Sequence, residues 1–139
     1  MNSHELIDRL PQRYPIRMID EVISVSKDEI VCETHLSKRL YMFDGHFKED
    51  KVLPGVYLIE GASQAALLME INNRDQENQN EGAIAKVDVR FFNKVLPGDL
   101  IEYRVNVEWR KKNMSKVAVV VKVGQNITAS GNLILVKYV

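Results

Sequence analysis

From Val56 to Ile71 the chain is almost entirely apolar or small, with no clear polar stripe. The segment follows Pro54-Gly55, and proline is favoured at a first helical position, where its missing N–H would be unbonded anyway. A helix is therefore expected to begin near Pro54. Apolar nearly all round, it must be buried on most sides. One small sheet cannot cover that much surface, and dimerisation is the simplest remedy.

Glu60 and Gln64 stand out in this helix. Four residues apart, they share one face, and a carboxylate in an apolar helix requires either a partner or a purpose. The plain structural alternative is a Glu-Gln hydrogen-bonded pair tying the helix to a neighbouring strand. The helix alone does not choose between these readings.

His46 shifts the balance. It follows Gly45, precedes Phe47, an aromatic able to anchor the loop, and leads into the helix start. The free N–H groups and dipole there can stabilise developing negative charge. His46 and Glu60 thus form a candidate acid/base pair. Gly55, at the start of the helix, is the candidate backbone donor to a substrate carbonyl, although a glycine that merely permits a tight turn would look the same. His4 and His35 read as surface or satisfied histidines.

Elsewhere the pattern is a short helix capped by Ser3 and running to Leu10, then β segments at Met18–Val25 and Glu29–Leu36. Residues Asn72 to Gly82 form the most polar stretch and read as an exposed loop. After Pro97-Gly98-Asp99, the residues Ile101, Tyr103, Val105, Val107 and Trp109 alternate with polar ones, giving a strand with one apolar face. Strands at Lys116–Val123 and Ile127–Lys137, separated by Gly124-Gln125-Asn126, favour antiparallel meander pairing. The fold class is α+β, an antiparallel sheet around one long helix, and residues 1–139 read as a single domain.

Nineteen basic residues balance nineteen acidic ones, which argues against a dedicated nucleic-acid binder. No apolar run is long enough to span a bilayer, and Met1-Asn2-Ser3-His4-Glu5 lacks the features of a signal peptide; a cytoplasmic protein is expected. The lone cysteine, Cys32, reads as a small strand residue. No metal-ligand motif, phosphate loop or nucleophilic triad stands in the sequence, so catalysis without a cofactor or metal is expected.

These residues resemble the hotdog-fold 3-hydroxyacyl-[acyl carrier protein] dehydratases of fatty-acid and polyketide synthesis, particularly the FabZ type. The likeness lies in four ordered blocks: Leu10–Pro15 with Met18–Val22; Gly45-His46-Phe47, Leu53-Pro54-Gly55-Val56 and Glu60 followed by Gln64-Ala65-Ala66; Val87–Phe91; and Val95–Asp99. Lys48 and Lys51 stand where the family usually has prolines, and Gly61 where it often has alanine. The resemblance implies a hotdog fold, with the antiparallel sheet wrapped around the long helix. It also implies homodimers joined through edge strands, often grouped as trimers of dimers, with His46 of one protomer and Glu60 of the other lining each tunnel. It further implies that the Val52 carbonyl fixes the histidine ring and that Gln64 supports the site.

The implied reaction is reversible loss of water from a 3-hydroxyacyl thioester, giving a trans-2-enoyl thioester. Neutral His46 is the candidate base for the C2 proton, and Glu60, kept neutral by apolar burial, the candidate acid for the C3 hydroxyl. An acyl carrier protein, an acidic partner, would deliver the acyl chain on its pantetheine arm. Arg90, Lys94, Arg110, Lys111 and Lys112 are candidate docking residues, and Phe91 or Phe92 is expected to line an apolar tunnel. A hotdog acyl thioesterase, which would not need His46, and a non-catalytic acyl-binding subunit are the alternatives. An isomerase side activity is compatible with the same base.

Overall fold

The computed structural model describes residues 2–73 and 82–137. Helix α1 (Ser3–Asp8) is followed by strands β1 (Glu21–Val25) and β2 (Glu29–His35) and by two short 3-10 turns at Leu36–Lys38 and Leu40–Phe43. Then come helix α2 (Gly55–Asn72) and strands β3 (Gly82–Phe91), β4 (Leu100–Lys111), β5 (Met114–Val123) and β6 (Asn126–Lys137). The six strands form one antiparallel sheet in the order β1-β2-β4-β5-β6-β3. This is the α+β hotdog arrangement the sequence suggested.

The first residue of helix α2 is Gly55, so Pro54 is the cap residue, one position before the first helical position expected for it. It buries Leu58, Ala62, Ala65, Ala66, Leu68, Met69 and Ile71 in a core shared with Ile30, Ile101, Tyr103, Val105, Val117, Val119, Val121 and Leu133. The inward residues on β4 and β5 follow a period of two. Val107 and Trp109 are only half-buried, and the ladder shifts register between them.

Two expectations need correction. The α1 cap is Asn2, whose side chain accepts from the Glu5 N–H, while Ser3 Oγ accepts from the Val22 N–H at 2.8 Å and pins the helix to β1. Residues 18–20 are not strand, because their polar groups are used elsewhere: Met18 N–H donates to Gln64 Oε1 at 2.8 Å, and the Asp20 carboxylate receives Arg39 and the His35 N–H. The expected β4-β5-β6 meander is present, and β3, whose place the sequence did not indicate, lies beyond β6 as an edge strand. The expected polar loop lies outside the described residues except for its first two, Asn72 and Asn73, which end α2, and its last, Gly82, which begins β3.

Candidate active site

The loop from Asp44 to Leu53 is held by its own backbone. His46 N–H donates to Phe43 O, Phe47 N–H to Asp50 O, Val52 N–H to His46 O and Leu53 N–H to Val95 O. Gly45 turns the chain at a φ of 82°, a conformation glycine adopts without steric cost. Buried Phe43 and Leu53 anchor the loop. Phe47, expected to do so, is 56% exposed and instead stacks on the His46 ring.

His46 Nδ1 lies 2.9 Å from Val52 O. A carbonyl can only accept, so the ring proton sits on Nδ1 and the Nε2 lone pair remains free in the neutral imidazole. Gly55 is the first residue of α2, and no side chain caps that end. Its N–H has no carbonyl to bond within the helix. His46, Val52, Gly55, Phe91, Phe92 and Lys94 are among the residues lining one open cavity of about 570 Å³. Gly55 has a steric reason as well: a Cβ there would lie 2.8 Å from Phe91 Cε1.

Glu60 faces elsewhere. It lines a second, more enclosed cavity of about 270 Å³ together with Gln12, Ser63, Leu67, Glu70, the first residues of β3 and the last of β6. It is half-buried rather than enclosed in the core. Ser63 Oγ donates to the Glu60 carbonyl at 2.8 Å and reaches its Oε2 at 3.2 Å. Sequence reasoning missed Ser63, though its spacing of three residues from Glu60 places both on one helical face. Gln64 belongs to neither cavity. Its Nε2 donates to Ile16 O at 2.9 Å and its Oε1 accepts from Met18, so it ties α2 to the N-terminal segment.

Within one chain, then, the histidine and the carboxylate line different cavities. Of the candidate docking cations, Lys94 lines the His46 cavity and pairs with Asp50 at 3.2 Å. Arg110 is taken up by Glu70, Asp28 and the Lys27 carbonyl. Lys111 lies over the Trp109 ring, and Lys112 makes the β4-β5 turn. Burial pushes the Cys32 thiol up to about 12, which suits a core residue and not a nucleophile. Among the described residues, Glu21, Glu33 and His35 bring ligand-type atoms within 4.8 Å of one another. Strand pairing explains this, since Glu21 faces Glu33 and His35 is two residues along the same face.

A family model for the FabA-like domain matches residues 10–132. The chain belongs to this family. Among its relatives within the FabA-like family, a 3-hydroxyacyl-[acyl-carrier-protein] dehydratase FabZ of Pseudothermotoga lettingae is 34% identical over 136 residues, covering 97% of this chain and 95% of that protein. A FabZ of Streptococcus agalactiae is 32% identical, covering 93% and 92%. The dehydratase heterocomplex ApeI:P from Xenorhabdus doucetiae matches in fold, with a TM-score of 0.81 at 21% identity and coverage of 96% and 91%. Among the described residues no helix is long and apolar enough to cross a membrane.

Proposed function

We propose that this FabA-like chain dehydrates 3-hydroxyacyl thioesters carried on acyl carrier protein to trans-2-enoyl thioesters, in cytoplasmic fatty-acid or polyketide-type synthesis. His46 Nε2 takes the C2 proton, its ring set by the Val52 carbonyl. The Gly55 N–H receives the thioester oxygen as enolate charge grows, a preorganised donor worth roughly two to three orders of magnitude in rate. Glu60, oriented by Ser63, protonates the leaving hydroxyl. No cofactor enters this scheme, and residues 1–139 act as one domain.

One observation carries the reading: the two reacting groups sit at cavities joined to opposite ends of an edge strand. Phe91, at the end of β3, lines the His46 cavity; Gly82, Ala83 and Ile84, at its start, line the Glu60 cavity. Pairing of β3 with β3 of a second copy about a two-fold axis would be antiparallel and isologous. It would bring the Phe91 end of one strand beside the Gly82 end of the other. His46 of one protomer and Glu60 of its partner would then face a common tunnel. Among the described residues the outer edge of β3 is unpaired in one chain, and Val87 and Phe91 of this strand are 43% and 51% exposed. An open edge of that kind readily pairs with another chain. A trimer of such dimers is compatible with the same contact, and Lys94 with Arg90 forms the docking patch for the acidic carrier.

The test is interconversion of 3-hydroxybutyryl and crotonyl thioesters, on carrier protein and on a pantetheine mimic. Turnover without thiol release, lost in both His46→Ala and Glu60→Gln, is expected. Thiol release dependent on Glu60 would reassign the chain as a thioesterase; saturable acyl binding without turnover would make it a binding subunit.

A further inference from the structure

Among the described residues, the lining of the Glu60 cavity reaches Glu70 and Lys137, part of a charge cluster that dehydration does not require. Glu60, Ser63, Leu67 and Glu70 line it at helical spacing, so it runs along one face of α2. With a rise of about 1.5 Å per residue, Glu60 and Glu70 are separated by about 15 Å along the axis. Leu67, Ala83, Ile84, Leu135 and Val136 supply apolar walls between them. Glu70 is 8% exposed, and both its oxygens are engaged: Oε1 accepts from Arg110 Nε at 2.9 Å, and Oε2 lies 3.5 Å from Lys137 Nζ. Arg110 is held from behind by Asp28 and the Lys27 carbonyl, both at 2.6 Å.

We propose that the Glu70–Arg110–Lys137 cluster is the floor of the acyl pocket and sets the longest chain the substrate can carry. This rests on the dehydratase reading, in which the acyl tail runs past Glu60 into this cavity. Every methylene that finds apolar wall tightens binding about fourfold. A methylene driven against the floor finds a paired, already satisfied carboxylate. To pass, it must separate that carboxylate from its cations and leave buried charges uncompensated. The cluster is a barrier to an alkyl chain, because both Glu70 oxygens already face cations that an apolar group cannot replace. An extended alkyl chain advances about 1.25 Å per carbon, so the run of about 15 Å from Glu60 to Glu70 holds a tail of about twelve carbons.

The test is kcat/KM for 3-hydroxyacyl-pantetheine substrates of increasing length, from four to sixteen carbons. Wild type is compared with Glu70→Ala and with Glu70→Leu/Lys137→Leu, which replaces the ion pair by apolar groups should the single variant fold poorly. Wild type should rise with length and then fall sharply, and both variants should raise the ratio of sixteen- to eight-carbon kcat/KM at least tenfold. A wild type that favours sixteen carbons, or a ratio unmoved in the folded variants, overturns the proposal. If wild type turns over no chain length, the dehydratase reading fails by itself. Calorimetric binding of saturated acyl-pantetheines then decides the floor: a break in affinity with length that the variants abolish sustains it, and an unbroken series ends it.

Discussion

The phenol of Tyr103 occupies the space in which a side chain at position 61 would stand, so that a Cβ added to Gly61 would collide with Tyr103 Oη and Cζ. Tyr103 is fully buried, and among the described residues its hydroxyl meets no partner in hydrogen-bond geometry. Gly61→Ala is expected to cost about 1–3 kcal/mol by overpacking, read as a lower urea midpoint. Tyr103→Phe removes an unsatisfied buried donor and is expected to stabilise by about 1 kcal/mol. A Gly61→Ala protein as stable as wild type would contradict this packing.

Gly55 and Phe91 make a looser contact of the same kind. A Cβ at position 55 would lie 2.8 and 2.9 Å from Phe91 Cε1 and Cζ, but the ring is half-exposed and can swing away into the His46 cavity. Gly55→Ala should therefore leave stability nearly unchanged and lower kcat/KM by up to about a hundredfold through misplacement of substrate. Phe91→Ala in the same chain should restore much of the loss. A double variant no better than the single one would place the defect in the backbone at 55.

Burial pushes the Cys32 thiol up to about 12, above the usual value of about 8.5. Folding favours the protonated thiol, so its contribution to stability is fully present below pH about 8.5 and is lost as pH rises towards 12. The slope approaches about 1.4 kcal/mol per pH unit. Cys32→Ala lacks this term, and its stability should fall less steeply than that of wild type between pH 8 and pH 10 in urea titrations. Parallel curves would show that the thiol titrates freely in the folded protein.

Gln64 is fully buried and bridges Ile16 and Met18 to α2. Gln64→Leu orphans the buried Met18 N–H, at about 1–3 kcal/mol, and removes the partner of the carbonyl of Ile16, a residue that is 46% exposed. The expected result is a large drop in the urea midpoint with kcat per folded molecule within severalfold of wild type. A stable variant with kcat lost would return Gln64 to the catalytic site.

The central helix was legible because burial on all sides leaves a continuous apolar run, and β4 because its alternation is regular from Ile101 to Val105. The place of β3 was not, since pairing Val87 with Leu133 joins residues far apart in sequence and leaves no periodic trace. His46 and Gly55 were named from their places before and at the helix start, Val52 from the family resemblance, and the structure brings all three to one cavity. Glu70 escaped notice although it lies in the same apolar run as Glu60, because its meaning depends on Arg110 and Lys137 arriving from β4 and β6. Phe47 was misjudged for a related reason: an aromatic beside the active loop looks like an anchor, but Phe43 and Leu53 already fill the interior there.

Subunit exchange between His46→Ala and Glu60→Gln proteins tests the shared site most directly. Each variant alone should be inactive. After random exchange half of the dimers are mixed, and each of these carries one intact site, so about a quarter of wild-type dehydratase activity should return. No recovery from exchanged, folded dimers would mean that His46 and Glu60 act within one chain, contradicting the account.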